Sequence, residues 1–447
     1  MPSNKSLAVF AHLDTDFVPA GLLHLTEEGD KLLASEFAYG LRYLERTAAL
    51  EIDPVSLSLK NKTEVRGKRL QPEGGLPFFG GIRDAAPDAW GRRVIEAKLK
   101  VSANSLPEST YLLEAGSERV GALDVRADIQ SGAGQGHAVI SDLAYLMEAA
   151  ERIEAGLPIP AHLEAIFQGG SALGGARPKA TVRDVEGVLW LAKFGSRNEH
   201  LNIPEIEAAT LQLAVRCGMT VPPVRIEQVG ERMVMLIRRF DRYWAMPGAP
   251  VEDLALSAAP DPAHGQIEKR LGFVSALTLM SCDEASARQQ SYGLLAQAIR
   301  RHCHIDFIRE NNRELFARMV YNIFVSNDDD HLRNHGFIWD PIHRGWRLSP
   351  LYDVMPRPSV AFERYLFLGV GPQGRLATLD NALGSHALFT LSEAEAAEII
   401  SKIWKEVREW RVHFETFGVS GRAIEQVAAA FRHIDDISSG ALRNKLP

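Results

Sequence analysis

The stretch SNDDDHLRNHGFIWD, residues 326–340, with its continuation GWRLSPLYDV, residues 345–354, decides how this 447-residue chain is read. The preceding ELFARMVYNIFVS carries apolar residues at helical spacing. Three aspartates, an imidazole and an amide therefore fall where a helix ends. HGFIWD and GWRLS then read as two short strands turning around Pro341, with Asp353 just past the second. Three aspartates at a helix end, taken alone, are a solvated turn-making run. The downstream carboxylate changes that reading, because such a turn gathers hard oxygen ligands suited to Mg²⁺.

Asp329 and Asn334 are five residues apart. Protein-kinase catalytic loops use that separation between the base that takes the acceptor proton and the amide that holds Mg²⁺. Asp353 then stands where a carboxylate bridges metal and phosphate oxygens. A zinc pair of His331 and His335 fails the zincin pattern, which needs Glu at the position of Leu332. An EF-hand fails because Arg333 stands where its loop needs Gly. His302 and His304 read as surface or core histidines.

Working upstream, GGSALGGARPKATV at 169–182 offers glycines that let backbone approach phosphates, with Arg177 and Lys179 as positive charge. It is not a Walker A loop, since no GKS or GKT closes it and a strand follows rather than a helix. By itself it reads equally as a hairpin turn. Lys193 is a lone lysine in the apolar strand LWLAKF, and Glu207 lies on the next helix, IEAATLQLAVRC, flanked by Pro204 and Gly218. Singly, such a lysine snorkels from an edge strand. The order along the chain decides between these readings: Gly loop, strand lysine, helix glutamate, strands VPPVRIEQV and RMVMLIRRF around Gly230-Glu231, then Asp329, Asn334 and Asp353. A kinase lysine–glutamate pair orients the α- and β-phosphates in that arrangement.

Composition bounds the rest. Hydrophobic residues at 46% and charged residues at 24% provide for real cores, and the length calls for two or three domains. A net charge of -7 has the wrong sign for a nucleic-acid coat. Three cysteines without short spacing write neither a disulfide framework nor a CxxC metal site. No run reaches the ~18 apolar residues of a membrane span, and the N-terminal apolar stretch is too short for a signal peptide. A soluble, cytoplasmic chain without membrane contact is expected. Domains are expected at 1–130, 131–250 and 251–447, the last mainly helical, with FVSALTLM, SYGLLAQAIRRH and ELFARMVYNIFVS among its helices. Ser141 is the expected N-cap and Gly156 the stop of the helix following SGAGQG, and Ser392 with Glu395 form a capping box.

These residues resemble the HipA-type serine/threonine kinases, the toxin components of bacterial toxin–antitoxin pairs, over nearly the full length. SALGGARPKA is similar to the family's phosphate-covering loop, which puts Ser171 at its autophosphorylated serine and Gly174 and Gly175 against ATP. LAKF puts Lys193 at the ATP lysine, with Glu207 as its partner. RRFDR resembles the segment near the adenine-holding hinge, implying Arg239 and Phe240 there. NDDDHLRNH is similar to the signature N-x-D-x-H-x-x-N, which implies Asp329 as catalytic base, His331 beside the nucleotide and Asn334 as metal ligand. LSPLYDV places Asp353 at the second metal position. Of residues 328–330 only Asp329 satisfies both the family register and the five-residue spacing. FFGGIRDAAPDAWGRR resembles the small N-terminal subdomain.

The resemblance implies an α+β, two-lobed protein-kinase-like fold: a β-rich N-terminal lobe with an extra N-terminal subdomain, and a mainly helical C-terminal lobe. It implies ATP and Mg²⁺ as cofactors and a protein substrate, aminoacyl-tRNA synthetases being the associated targets. It also implies a HipB-like helix-turn-helix antitoxin, with DNA reached only through that partner. Two departures from ordinary protein kinases stand out: the histidine follows the base, and Val354-Met355 rather than Phe-Gly follow Asp353. An ATP-binding scaffold working through the antitoxin, and a small-molecule kinase with the same Mg²⁺ constellation, are the competing readings.

Overall fold

The computed structural model describes residues 1–133, 138–167, 175–196, 201–249, 254, 256 and 261–447. The chain begins with three long antiparallel strands, β1 (Ser3–Leu13), β2 (Asp16–Glu28) and β3 (Lys31–Tyr39), which a fourth, β4 (Leu123–Arg126), completes in the order β3-β2-β1-β4. Alternation along β1 sends Leu7, Val9 and Ala11 into a core shared with Leu23, Phe37, Phe79 and Ile82. Phe79 and Ile82 belong to FFGGIRD, so the short helix Gly80–Asp84 is docked on this sheet.

A second sheet holds β5 (Ala138–Val139), β6 (Lys179–Arg183), β7 (Leu189–Phe194), β8 (Val224–Val229) and β9 (Arg232–Arg238) in the order β5-β6-β7-β9-β8. Both its faces are covered. Ala192, Phe194, Val234 and Leu236 pack with Trp90 and Val94 of the helix Ala89–Leu99 and with the helix Leu143–Glu154. Met235 and Ile237, one residue out of phase, face the helix Ile203–Arg216 and join the large C-terminal core. That helix starts with Pro204 in its first turn and stops before Gly218, whose φ of 88° only glycine adopts cheaply. Cross-strand register sets Lys179 directly opposite Lys193.

After the hairpin of β10 (Arg242–Ala245) and β11 (Ile267–Arg270), the strand β12 (Phe273–Ser275) pairs with β13 (Gly336–Asp340), which pairs with β14 (Gly345–Leu348). FVSALTLM, expected as helix, thus divides: Phe273–Ser275 is strand, and only Ala276–Leu279 is helical, with Ser275 Oγ accepting from the Thr278 amide. The buried β-branched Val274, paired across to Phe337, favours the ladder over another helical turn. Ser141 is not an N-cap, since a 3₁₀ turn over Ile140–Asp142 precedes the helix, although Gly156 does follow its end with φ 66°.

The remainder is mainly helical. Tyr292–His302 and Ile308–Val325 sit in the largest core, beneath Glu393–Val407, where Ser392 and Glu395 form the expected capping box. Among the described residues no helix is long and apolar enough to cross a membrane, and all three cysteines are free and buried.

Candidate active site

Strand β7 alternates Leu191, Lys193 on one face with Ala192, Phe194 on the other, so the lysine leaves the apolar core and points to the side where the helix Ile203–Arg216 lies. There Lys193 Nζ donates to Glu207 Oε1 at 2.5 Å and to Asp353 Oδ1 at 2.8 Å. One ammonium therefore joins a strand, a helix and a loop 160 residues further on. Burial pulls the Lys193 ammonium down, but the Asp353 and Glu207 charges overcome it and hold it above the usual lysine range. Burial likewise pushes the Asp353 carboxyl up, and Lys193 reverses that to well below the usual carboxylate range. Asp353 has φ 60°, a left-handed conformation costing ~1–2 kcal/mol for a residue with a Cβ. That strain is held by its neighbours: Tyr352 donates its hydroxyl to the Arg333 carbonyl, and Leu351 N–H bonds the Thr220 carbonyl.

The signature loop leaves the helix Ile308–Val325 through Ser326, φ 51°, and is pinned by a chain of buried amides. Asn327 Nδ2 donates to Asn322, and Asn322 Nδ2 donates to the Tyr292 hydroxyl. Its three aspartates meet different fates. Asp330 is buried, accepts the Phe367 N–H at 2.6 Å, and burial pushes its carboxyl up to about 7 against the pull of Tyr292. Asp328 and Asp329 are half-exposed, and one guanidinium, that of Arg357, bonds both, at 3.1 Å and 2.8 Å. Asn334 Nδ2 donates to the Asp329 carbonyl at 2.8 Å, so the five-residue spacing closes a tight loop. His331 Nε2 stands 3.9 Å from Asp329 Oδ1.

A cavity of about 640 Å³ gathers Lys193, His331, Asn334, Tyr352 and Asp353 with Gly175, Arg239 and Phe240. Asp329 does not line it, but is tied to Asn334 and His331, which do. The Phe240 ring stacks on Tyr352 at 5.6 Å between centroids, giving an apolar wall opposite the charged one. The Arg239 guanidinium bonds Asp241, which lines the same cavity, and the Arg119 carbonyl at the junction with the first sheet. Ser171 and Gly174 lie outside the described residues. His335 is buried edge-on against Tyr292, and burial pushes its imidazole down to about 3.

Several lining residues lie in text that the sequence marks only as a subdomain or as loop charge. Phe78, Asp84 and Asp88 come from the first 100 residues. Burial pushes Asp88 up to about 6 against the charge of Lys179. Arg333, inside the signature, pairs with Glu284 and lies 3.7 Å from Asp84.

Among the described residues no group of three or more His, Cys, Asp and Glu forms a self-sufficient metal site. Asn334 and the ionised Asp353 both line this cavity and can offer oxygen ligands. Those residues fit a cation such as Mg²⁺, which binds through one or two protein oxygens and takes the rest of its shell from phosphate and water.

The architecture is that of a two-lobed, kinase-like α/β protein with its charged site between a five-stranded sheet and a helical lobe. The solved HipA of Shewanella oneidensis MR-1, in complex with HipB and operator DNA, superposes with a TM-score of 0.65 at 15% identity, over 98% of this chain and 97% of that one. The model of the HipA-like C-terminal domain matches residues 171–411, and the chain belongs to that family. Among curated proteins, "Putative kinase Y4mE" of Sinorhizobium fredii is 25% identical over 363 residues, 77% of each chain. A "Putative kinase" of Haemophilus influenzae is 28% identical over 173 residues, 37% of this chain and 45% of that one.

Proposed function

We propose that the chain is an ATP- and Mg²⁺-dependent serine/threonine protein kinase and the toxin of a HipBA-like module. The observation that carries this is the three-way contact of Lys193 with Glu207 and Asp353 on a cavity wall that also holds Asn334 and His331. The names of the curated relatives and the fold shared with a HipA support it. Bound Mg²⁺–ATP supplies the γ-phosphoryl group and neutralises its charge. Lys193 is the residue for the phosphates, Asn334 and Asp353 for the metal, and the main chain at Arg239–Phe240 with the Phe240 and Tyr352 rings for the base. Asp329, held by Arg357 on Oδ2, keeps Oδ1 for the proton of the acceptor hydroxyl. Little covalent chemistry is required, so placement and charge do the catalysis.

The acceptor is a translation-related protein of the aminoacyl-tRNA synthetase class, and Ser171 is the site of self-modification, where ~2 negative charges enter a phosphate-cradling loop and oppose its closure. A HipB-like antitoxin is the partner, as HipB is of the Shewanella HipA. The test compares cells expressing the wild type and Asp329→Ala by phosphoproteomics, with γ-labelled ATP and extract in parallel. Serine or threonine phosphorylation confined to the wild type is expected. Label entering small molecules, or equal labelling by the variant, overturns the proposal.

A further inference from the structure

Gly175 and Ala176 line the cavity, and three residues further on the chain enters β6 at Lys179. Two main-chain carbonyls of this exit accept from one residue, Trp90 in the first turn of the helix Ala89–Leu99. The Trp90 N–H bonds the Gly175 carbonyl at 3.3 Å, and its indole Nε1–H bonds the Lys179 carbonyl at 2.8 Å. Sheet geometry creates the need for the second bond. Phe194 N–H bonds the Pro178 carbonyl, so the next pair, Lys179 with Lys193, turns its main-chain groups away from each other. On the outer edge β5, among the described residues, pairs with Val182 and Arg183 alone. The buried Lys179 carbonyl lies beyond the reach of that ladder, and the indole satisfies it.

The same helix start also faces the Lys179 side chain. Asp88 caps the helix by accepting the Gly91 N–H, and it is the charge that acts most strongly on the Lys179 ammonium. A Cβ on Gly175 would collide with Lys179 Nζ, so the ammonium lies directly beneath the exit, where Gly175 takes a φ of 106°. Trp90 itself is 2% exposed, is packed with Ala192, Phe194, Val234 and Leu236, and does not line the cavity. A ring wedged into a sheet core has one position, so its N–H fixes the spacing between helix and strand. The place where the glycine stretch ends, relative to Lys193, is therefore set by a residue outside the nucleotide cavity.

Resting on the kinase reading, we propose that Trp90 is a positioning residue for phosphate binding: its indole N–H, with Asp88 beside it, fixes the exit of the glycine stretch against Lys193 and makes the N-terminal segment part of the phosphate clamp. Equilibrium binding of adenosine, ADP and Mg²⁺–ATP to the full chain reads this, because adenosine needs only the wall of Phe240 and Tyr352 while the phosphates need the exit. W90F keeps a ring in the core and loses the Nε1–H. Its Kd for adenosine stays within about twofold of the wild type, while the gain in affinity from adenosine to Mg²⁺–ATP shrinks about fivefold, the worth of one hydrogen bond. D88N keeps the helix cap, withdraws the charge facing Lys179 and shrinks the same gain; it decides alone if W90F does not fold. V94A opens a void in the same core, one turn along the helix, and lowers Tm with the gain unchanged. An undiminished gain in W90F, a parallel loss of adenosine affinity, or equal shrinkage in V94A overturns the positioning role. A wild type that gains nothing from the phosphates overturns instead the kinase reading beneath it.

Discussion

Replacing Asp330 by Asn separates the buried member of the aspartate run from Asp329, the proposed base. The Asp330 carboxyl is almost wholly enclosed, and burial raises it from 3.8 to about 7. The folded chain therefore binds this proton more tightly than the unfolded one, and stability is withdrawn as pH rises between about 4 and 7. At ~1.4 kcal/mol per pH unit the ceiling of that loss is about 4 kcal/mol. Asn has the same shape, stays neutral, and still accepts the Phe367 N–H through Oδ1. The variant should already exceed the wild type by about 1.5 kcal/mol at pH 5, since ~1.4 kcal/mol is lost per pH unit above about 4, and by up to about 4 kcal/mol at pH 8, or about 4 °C in Tm at ~2 cal/mol/K per residue over this chain. Denaturant and thermal unfolding of both proteins at half-unit steps from pH 5 to 8.5 measure the difference. A difference that does not grow with pH, or a variant weaker than the wild type at pH 8, refutes a neutral buried Asp330.

Lys193→Met should abolish ATP-dependent labelling and also cost about 3 kcal/mol of stability, because Glu207 is left buried beside Asp353 without its cation; the figure sits at the low end of the buried-pair range since Asp353 still reaches solvent. Denaturation midpoints and labelling check the two effects together. Asp329→Asn should lose the labelling while keeping unfolding within ~1 kcal/mol of the wild type, since its side chain is half-exposed. Arg239→Met should cost ~1.5–3 kcal/mol, because the enclosed Asp241 carboxylate loses one of its two arginines and keeps Arg242 and the Gly121 N–H. A thermal shift that disappears in high salt would contradict that, because enclosed pairs are poorly screened.

The site's spine is legible at Lys193, the one polar residue in LWLAKF, and at Glu207, a carboxylate on the next helix in chain order. Asp353 is legible through its place after a hairpin. The division of labour within Asp328–Asp330 needs tertiary structure, because the residue that is buried is decided by a strand-like segment 37 residues away that supplies the Phe367 amide. RRFDR reads as a charged hinge, but no local pattern tells that the Arg239 guanidinium bonds a carbonyl 120 residues earlier. FVSALTLM is ambiguous for a related reason: a short apolar run takes its conformation from its partner, here β13. Arg357, Asp88 and Arg333 sit in polar, loop-like text and acquire meaning only through what they touch.

The Arg239–Asp241–Arg242 knot has a consequence for how this chain can be cut or recombined. Asp241 accepts the Gly121 N–H, and both arginines bond the Arg119 carbonyl, while Trp90 and Val94 fill the core of the neighbouring five-stranded sheet. The first 130 residues thus pack as a wall of the five-stranded sheet's core rather than as a detachable appendage. A shortened chain beginning after residue 130 keeps the pairing of Arg239 and Arg242 with Asp241 but loses the Gly121 N–H and the Arg119 carbonyl that complete it.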